Sequence, residues 1–222
     1  MVWNFARLGV SWLLMKVLIT AGPTVEPIDP VRYLTNRSSG KMGYALAAAA
    51  AKRGHSVLLI SGPTSLGIPE GVDFIPIESA ADMYQAVESQ IGRHDIAILA
   101  AAVADYTPTE VAGQKLKKAG AEMTLTLKRT KDILGSARSV MDFKGTLVGF
   151  AAETENVEEN ARGKCLRKGC NLIVANDVSR KDIGFDSSEN EVTLVYPGHS
   201  KALPQDSKEH LAYHLMEVIE EL

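Results

Sequence analysis

Several signals of specialised protein classes are missing from this sequence. Only 2 of its 222 residues are cysteine, and Cys165 and Cys170 match neither the spacing of a redox pair nor half of a zinc site. We interpret them as buried thiols in a reducing cytoplasm. A formal net charge of -3 provides no positive excess for binding duplex nucleic acid. Any anion-binding site must therefore be local.

The N-terminal stretch lacks the features of a cleaved leader. Residues 1–14 contain a short apolar run with one arginine, but no small-residue cleavage site follows it. The chain then passes directly into "KVLITAG", which a core strand needs. We interpret residues 1–14 as an extension upstream of the natural start, with Met15 as the initiator and 15–222 as one domain. We expect no membrane partner.

Strand-like and helix-like segments alternate from Lys16 to about Asn176. Short apolar runs that end in glycine, proline or small residues predict buried strands, and the amphipathic or alanine-rich runs between them predict helices. This alternation predicts an α/β fold with a Rossmann-like, doubly wound and mainly parallel sheet. The predicted core strands are "KVLITAGPT", "SVLLISGP", "VDFIPI", "DIAILAAAVADY", "TLVGFAAET" and "NLIVANDV".

The C-terminal part departs from this alternation. Residues 182–204 contain two β-rich flanks around a polar turn, which predicts a β-hairpin arm and a candidate dimer contact. The last 16 residues, "SKEHLAYHLMEVIEEL", predict an amphipathic helix that closes the fold.

The turn after the first strand lacks both common nucleotide fingerprints. Lys41 is followed by methionine, which excludes a P-loop, and Gly40 and Gly43 alone do not make a dinucleotide-binding turn. The turn is nevertheless long and polar, and Ser38, Ser39 and Gly40 precede a predicted helix whose N-terminal N–H groups favour an anion. The alternative is a plain serine cap, with the glycines present for close packing.

A second polar cluster follows the predicted fourth strand. Asp105 comes directly after the buried run, and Lys115, Lys117 and Lys118 lie on the loop beyond it. A basic loop beside strand ends can close over a triphosphate and neutralise charge as pyrophosphate leaves. The alternative is an ordinary solvated charge run.

Further candidates surround the next strand and helix. Phe150 in "GFAAET" offers an aromatic face for a base, and Glu153 ends the same strand. Lys164 and Lys168 are four residues apart on one face of a predicted helix, so both can reach phosphates. The alternatives are core packing for Phe150 and solvent contact for the two lysines.

With these motifs assembled, the sequence resembles the phosphopantothenoylcysteine synthetases of bacterial coenzyme A biosynthesis. The resemblance covers Lys16 to Leu222 and rests on five motifs in order, "ITAGPTVEPIDPVRYLTNRSSGKMG", "AAVADYTP", "KLKK", "GFAAET" and "ANDV". It implies a cytoplasmic homodimer that uses CTP and Mg²⁺ or Mn²⁺ to activate 4'-phosphopantothenate as an acyl-cytidylate, which cysteine attacks. Many relatives are fused to a flavin-dependent decarboxylase. This chain has no room for one, so we expect another chain to supply that step.

The resemblance assigns roles residue by residue. Asn36 corresponds to the asparagine that steadies the cytidylate during amide formation, and Lys115 to the lysine that serves cytidylate formation. Predicted contacts to phosphopantothenate are Arg32, Asn36, Ser38, Ser39 and Gly40. Predicted contacts to CTP are Leu99, Ala100, Ala101, Asp105, Lys115, Lys131, Asp132, Ile133, Phe150, Lys164 and Lys168. The sequence departs from the family at "KRTKDI", where relatives often carry Asn-Pro before the aspartate, so the contacts near Thr130 to Asp132 transfer less directly.

Two other functions fit the same predicted sheet. An NADP-dependent reductase would use the same first turn, although no Tyr-x-x-x-Lys pair is present. A non-catalytic nucleotide-binding module would follow if the lysine loop were only solvated surface. The residues alone leave CTP and ATP both open, and the metal ligands stay unassigned.

Overall fold

The computed structural model describes residues 14–118, 120–178 and 189–222. An eight-stranded sheet has the order β12-β11-β10-β9-β6-β1-β4-β5, and two further ribbons pair β2 with β3 and β7 with β8. The strands are β1 (Lys16–Ala21), β2 (Val25–Pro27), β3 (Tyr33–Thr35), β4 (Ser56–Ser61), β5 (Val72–Pro76), β6 (Ile96–Leu99), β7 (Tyr106–Pro108), β8 (Leu127–Arg129), β9 (Thr146–Glu153), β10 (Leu172–Asp177), β11 (Glu189–Val195) and β12 (Ser200–Ser207). The helices are α1 (Lys41–Lys52), α2 (Ala80–Gln90), α3 (Ile133–Ser139), α4 (Val157–Lys168) and α5 (Lys208–Glu220), with a 3₁₀ turn at Ile91–Arg93.

The α/β architecture predicted from the sequence is confirmed. Strands β5, β4, β1, β6, β9 and β10 run parallel, and apolar clusters cover both faces of the sheet. The alanine-rich helix α1 packs close to β1 because Gly43 has no side chain: a Cβ there would lie 2.5 Å from the Cβ of Ala21. The glycine packing considered above for Gly43 is therefore present.

The order of the parallel strands reverses between β1 and β6. Successive strands lead outward from β1 through β4 to β5, and outward from β6 through β9 to β10. In a doubly wound sheet the crevice at such a reversal, at the carboxyl ends of the strands, is where ligands bind. This edge also carries the polar turn after β1 and the loop after β6.

The predicted C-terminal β-hairpin is confirmed, and it is joined to the main sheet. Strands β11 and β12 pair antiparallel around a turn at 196–199, and β11 also pairs antiparallel with β10. The hairpin therefore extends the main sheet, since β10 pairs with β11 as well as with β9. Of its predicted first flank and polar turn, residues 182–188 lie outside the described residues.

One predicted core strand is shorter than its apolar run. The run "DIAILAAAVADY" contributes only Ile96–Leu99 to the main sheet, and its last residue, Tyr106, begins β7. After Leu99 the chain continues beside the turn that follows β1, where Ala100 N–H donates to Thr20 C=O and Ala102 N–H donates to Gly22 C=O. This irregular backbone becomes one wall of the crevice.

A polar cluster closes the fold at the end of α5. Glu220 lies almost buried, where its carboxylate accepts hydrogen bonds from Arg53 Nε at 2.5 Å and Nη2 at 2.6 Å and contacts His55 Nε2 at 2.7 Å. Because the Met15 N–H donates to His55 Nδ1, the ring proton lies on Nε2 and is donated to Glu220. The cluster ties α5 to the end of α1.

The two cysteines are buried, as the sequence predicted. Cys165 Sγ donates to the Cys170 carbonyl at 3.3 Å, and both thiols are free. Burial raises the pKa of Cys170 to about 12, so it stays protonated at neutral pH. Over the described parts of the chain, no helix is both long and apolar enough to cross a membrane.

Candidate functional site

A cavity of about 520 Å³ opens at the carboxyl ends of β1, β6 and β9. Its walls also include the β7–β8 ribbon, the start of α3 and one face of α4. The lining residues are Thr20, Leu99, Ala101, Val103, Asp105, Tyr106, Arg129, Thr130, Lys131, Asp132, Ile133, Leu134, Phe150, Lys164 and Lys168. A volume of this size accommodates a nucleotide-sized ligand.

The structure brings most of the predicted nucleotide residues together. All of them except Ala100 and Lys115 line the cavity. They come from four separate parts of the chain, so their convergence is a property of the fold and was not visible in any single motif. Whether each contacts a nucleotide remains a prediction.

Lys168 and Asp132 form an ion pair that joins α4 to the start of α3. Asp132 also caps α3, because its Oδ1 accepts the Gly135 N–H at 2.8 Å. Burial raises the pKa of Asp132, but the Lys168 ammonium and the Gly135 N–H outweigh that effect and hold it below its usual value. Asp132 is therefore charged at neutral pH and fixes Lys168 on the cavity wall.

The other two lysines of the cavity also contact protein groups. Lys164 donates from Nζ to the Phe150 carbonyl at 2.7 Å, and burial lowers its pKa despite the opposing charge of Glu153. Lys131 Nζ lies 4.3 Å from the centre of the Tyr84 ring, a cation–π contact. Lys131 thus adds a cation at the rim of the cavity.

Arg129 is a cavity residue that sequence reasoning missed. It pairs with Tyr106 across the β7–β8 ribbon, and both side chains line the cavity. The Arg129 guanidinium makes no hydrogen bond or ion pair with any described residue, unlike Lys164 and Lys168. A short Lys-Arg pair in a sequence does not say which side chain faces inward. The alternation of side chains along β8 would have been the signal.

Asn36 lies next to the cavity but is not among its lining residues. Its Nδ2 donates to the Ala102 carbonyl at 2.9 Å, between the lining residues Ala101 and Val103. An amide nitrogen has two N–H groups, so one is left for a ligand. The exposed side chain can thus reach the cavity edge.

The helix N-terminus after Asn36 has the form expected of an anion site. Gly40 is the N-cap of α1 with φ 77°, so the cap residue itself has no side chain to accept a hydrogen bond from the first turn. Ser38 Oγ instead accepts the Gly40 N–H at 3.3 Å. The plain serine cap considered as an alternative is therefore absent. Ser38, Ser39 and Gly40 lie outside the cavity lining, and an anion bound by them remains a prediction.

The loop that carries Lys115 is held beside the same turn. Leu116 N–H donates to Asp29 Oδ2 at 3.1 Å, and Arg32 Nη2 donates to the Leu116 carbonyl at 3.0 Å. Asp29 and Arg32 belong to the turn that leads to Asn36. The Lys115 and Asn36 segments thus converge on one edge of the sheet, although the exposed Lys115 does not line the cavity itself.

Comparison with known proteins supports this assignment of the fold. The family described as "DNA/pantothenate metabolism flavoprotein C-terminal domain" matches residues 13–222. The chain is 51% identical over 209 residues to the coenzyme A biosynthesis bifunctional protein CoaBC of Vibrio parahaemolyticus, which covers 93% of this chain and 52% of the relative. It is 46% identical over 208 residues to the Escherichia coli protein of the same name, with 92% and 51% covered. The chain spans about half the length of these relatives.

Solved structures lead to the same family. The crystal structure of the C-terminal domain of CoaBC superposes with a TM-score of 0.79 at 43% identity, covering 93% of this chain and 96% of that one. The DNA/pantothenate metabolism flavoprotein from Streptococcus pneumoniae, at 24% identity, gives 0.81 over 93% and 99% of the two chains and shows the fold alone. A Cab2 mutant in complex with phosphopantothenate-cysteine, at 17% identity, gives 0.74 over 94% and 87%. The resemblance found in the sequence is thereby confirmed: this chain belongs to the DNA/pantothenate metabolism flavoprotein C-terminal domain family.

Proposed function

We propose that this chain joins 4'-phosphopantothenate to L-cysteine, with CTP as the activating co-substrate, to give 4'-phosphopantothenoylcysteine, CMP and pyrophosphate. Relatives that are 51% and 46% identical to this chain are named as coenzyme A biosynthesis proteins. The fold it shares with the Cab2 mutant accommodates phosphopantothenate-cysteine in that protein. One observation carries the proposal: a cavity lined by cations lies beside the Asn36 turn, and the Lys115 loop is hydrogen-bonded to that turn.

The first step activates a carboxylate. An oxygen of the phosphopantothenate carboxylate attacks the α-phosphorus of CTP, the bond from that phosphorus to the bridging oxygen breaks, and pyrophosphate leaves. Lys164, Lys168 and Arg129 surround the space where the phosphates would lie. Lys115 neutralises charge on the leaving group from the adjacent loop. Fixed cations in a cavity partly shielded from water stabilise such charge more than they would in bulk water.

The second step forms the amide. The amine of cysteine attacks the acyl carbon, CMP leaves with the electrons of the acyl–oxygen bond, and the amine loses a proton. The free N–H of Asn36 donates to the oxyanion that develops on the acyl oxygen. One such donor contributes about 10²- to 10³-fold in rate.

The acyl substrate is assigned to the turn that follows β1. Arg32 has two of its guanidinium nitrogens on Asp29 and keeps a side chain 40% exposed. Together with Ser38, Ser39 and Gly40 at the start of α1, it would bind the phosphate of phosphopantothenate. The dipole of α1 and the N–H groups of its first turn favour that anion.

A divalent ion fits the cavity as a partner of the nucleotide. Among the described residues no three metal-binding side chains cluster, so those residues do not form a metal site made of protein ligands alone. Mg²⁺ commonly uses one or two carboxylates with substrate phosphates. Asp105 supplies an exposed carboxylate in the lining, whereas Asp132 is paired with Lys168. The ion would neutralise phosphate charge.

We also propose that the chain works in the cytoplasm as a homodimer, as the family resemblance implies. The buried, protonated thiols suit a reducing compartment. Light scattering on the purified chain tests the dimer, and a monomeric mass at working concentration would contradict it.

A reconstituted reaction tests the proposed function. The chain is mixed with Mg²⁺, phosphopantothenate, cysteine and either CTP, ATP or NADPH, and pyrophosphate and amide product are measured. We expect both products with CTP. NADPH oxidation without pyrophosphate would favour the reductase alternative, nucleotide binding without turnover would favour the non-catalytic module, and equal rates with ATP would remove the CTP preference.

A further inference from the structure

Asp29 is a buried carboxylate with an unusual number of hydrogen-bond partners. Only 3% of the residue is exposed. Oδ1 accepts the backbone N–H groups of Val31 and Arg32, both at 2.9 Å. Oδ2 accepts Arg32 Nε at 3.0 Å, Arg32 Nη2 at 2.6 Å and the Leu116 N–H at 3.1 Å. The Arg32 guanidinium in particular, helped by these N–H groups, holds the pKa of Asp29 well below its usual range.

Only some of these contacts are explained by the local turn. The hydrogen bonds from the Val31 and Arg32 N–H groups to Asp29 shape the turn itself, because an aspartate side chain commonly accepts the N–H groups two or three residues further on. The bond to Leu116 crosses 87 residues of sequence. The backbone of Leu116 is also held at its carbonyl, because Arg32 Nη2 donates to that oxygen at 3.0 Å.

The position of Lys115 depends on this contact. Lys115 directly precedes Leu116 and is exposed. Nearby, the loop has one other described backbone anchor to this turn, the Ala112 N–H on the Ile28 carbonyl at 3.0 Å. The described residues between β7 and β8 contain no helix or strand that could fix the loop otherwise. Without the contacts at Leu116, the part of the loop that carries Lys115 would have no described backbone anchor to this turn beyond Ala112.

We infer that Asp29 is a positioning residue, which with Arg32 fixes the backbone N–H and carbonyl of Leu116 and so holds Lys115 near the edge of the cavity. The inference rests on the proposed function of Lys115. It also gives Arg32 a second task beside the expected contact to the acyl substrate. Misplacing a reacting group by about 1 Å can cost about 10²-fold in rate.

Asp29→Asn tests the inference in two ways. The amide keeps the shape of the carboxylate but replaces one acceptor oxygen with an NH₂ group. That donor would face the N–H donors of Leu116 or Arg32, so the hydrogen bond there is lost. We expect trypsin to cleave after Lys115, Lys117 and Lys118 faster than in the wild type. We also expect cysteine-independent pyrophosphate release to fall about 10²-fold, with CTP affinity in equilibrium binding changed less than threefold.

A double-mutant cycle separates positioning from general damage. If Asp29 acts through Lys115, Asp29→Asn causes no further loss of pyrophosphate release in a Lys115→Gln background. Asp95→Asn is the matched control, since Asp95 accepts the Lys16 N–H at 2.8 Å at the opposite ends of the strands. It should leave both proteolysis of the loop and pyrophosphate release unchanged.

The outcomes are distinct. Unchanged cleavage, or faster cleavage with normal pyrophosphate release, would overturn the inference, as would fully additive losses in the cycle. A wild-type chain that releases no pyrophosphate would overturn the proposed function instead. The proteolysis comparison then decides alone whether Asp29 anchors the loop.

Discussion

The side-chain amide of Asn36 donates a hydrogen bond to the backbone carbonyl of Ala102 at 2.9 Å. The same carbonyl accepts the Thr24 N–H at 3.2 Å. Ala102 lies between two cavity-lining residues, and Asn36 lies in the turn that leads to α1. This bond therefore joins the turn proposed for the acyl substrate to the wall of the cavity proposed for the nucleotide.

Asn36→Asp should separate the two half-reactions. The carboxylate has no N–H for the oxyanion and repels it, so amide formation should fall by about 10²- to 10³-fold. Pyrophosphate release in the first turnover should persist, since the cavity cations are untouched. Rapid-quench assays of pyrophosphate and amide measure both. Normal amide output would remove Asn36 from the mechanism.

Lys115→Gln should block the first half-reaction. The loss of a charge-stabilising group at the leaving pyrophosphate is expected to slow cytidylate formation about 10²-fold or more. Lys117→Gln, two residues further along the same loop, is the control and should stay within a few-fold of the wild type. Undiminished cytidylate accumulation in the Lys115 variant would show that this lysine is only surface.

Arg129→Gln should weaken nucleotide binding. The guanidinium lines the cavity without a described protein partner, so its loss removes a charge-assisted contact of about 1.5 kcal/mol and raises the KM for CTP about tenfold. Lys128→Gln is the matched control, because alternation along β8 directs that side chain to the other face. Arg129→Lys should restore part of the affinity. Equal KM values for the Arg129→Gln and Lys128→Gln variants would contradict the role.

Glu220→Gln should lower stability and flatten its acid dependence. Burial raises the pKa of Glu220, but Arg53 and His55 lower it by more, so the net pKa lies below the model-peptide value of 4.5. The contacts of the Glu220 carboxylate therefore stabilise the fold above about pH 4.5, and this contribution is lost as pH falls through the folded pKa. At pH 7 the variant should lose about 3 kcal/mol in urea unfolding. If the free energy of unfolding of the variant fell with acidification as it does in the wild type, Glu220 would not be the titrating group.

Much of the fold could be predicted because local pattern carries it. Buried runs such as "KVLITA" predict strands, and alternation with helices predicts the parallel sheet. The β2–β3 and β7–β8 ribbons were not predicted, since strands of three residues have too few positions to show a period. The run after Leu99 reads as strand by composition, but its backbone pairs with the turn after β1 instead.

The candidate site could be predicted only in part. Motifs identify Asp105, Phe150, Lys164 and Lys168, because strand ends meet at one edge of a parallel sheet. The contact between Asp29 and Leu116 could not be found, since no sequence pattern connects two loops 87 residues apart. The orientation of the Arg129 side chain toward the cavity could not be predicted for a different reason. It depends on how the short strands β7 and β8 pair.

A structure of the Asn36→Asp variant with CTP, Mg²⁺ and phosphopantothenate tests the central claim most directly. We predict an acyl-cytidylate in the cavity, with its nucleotide beside Phe150 and Lys164 and its acyl group directed toward residue 36. We also predict that the Lys115 loop lies at the phosphoryl group. A ligand bound away from this cavity, or one that neither the residue 36 segment nor the Lys115 loop of any subunit contacts, would contradict the account.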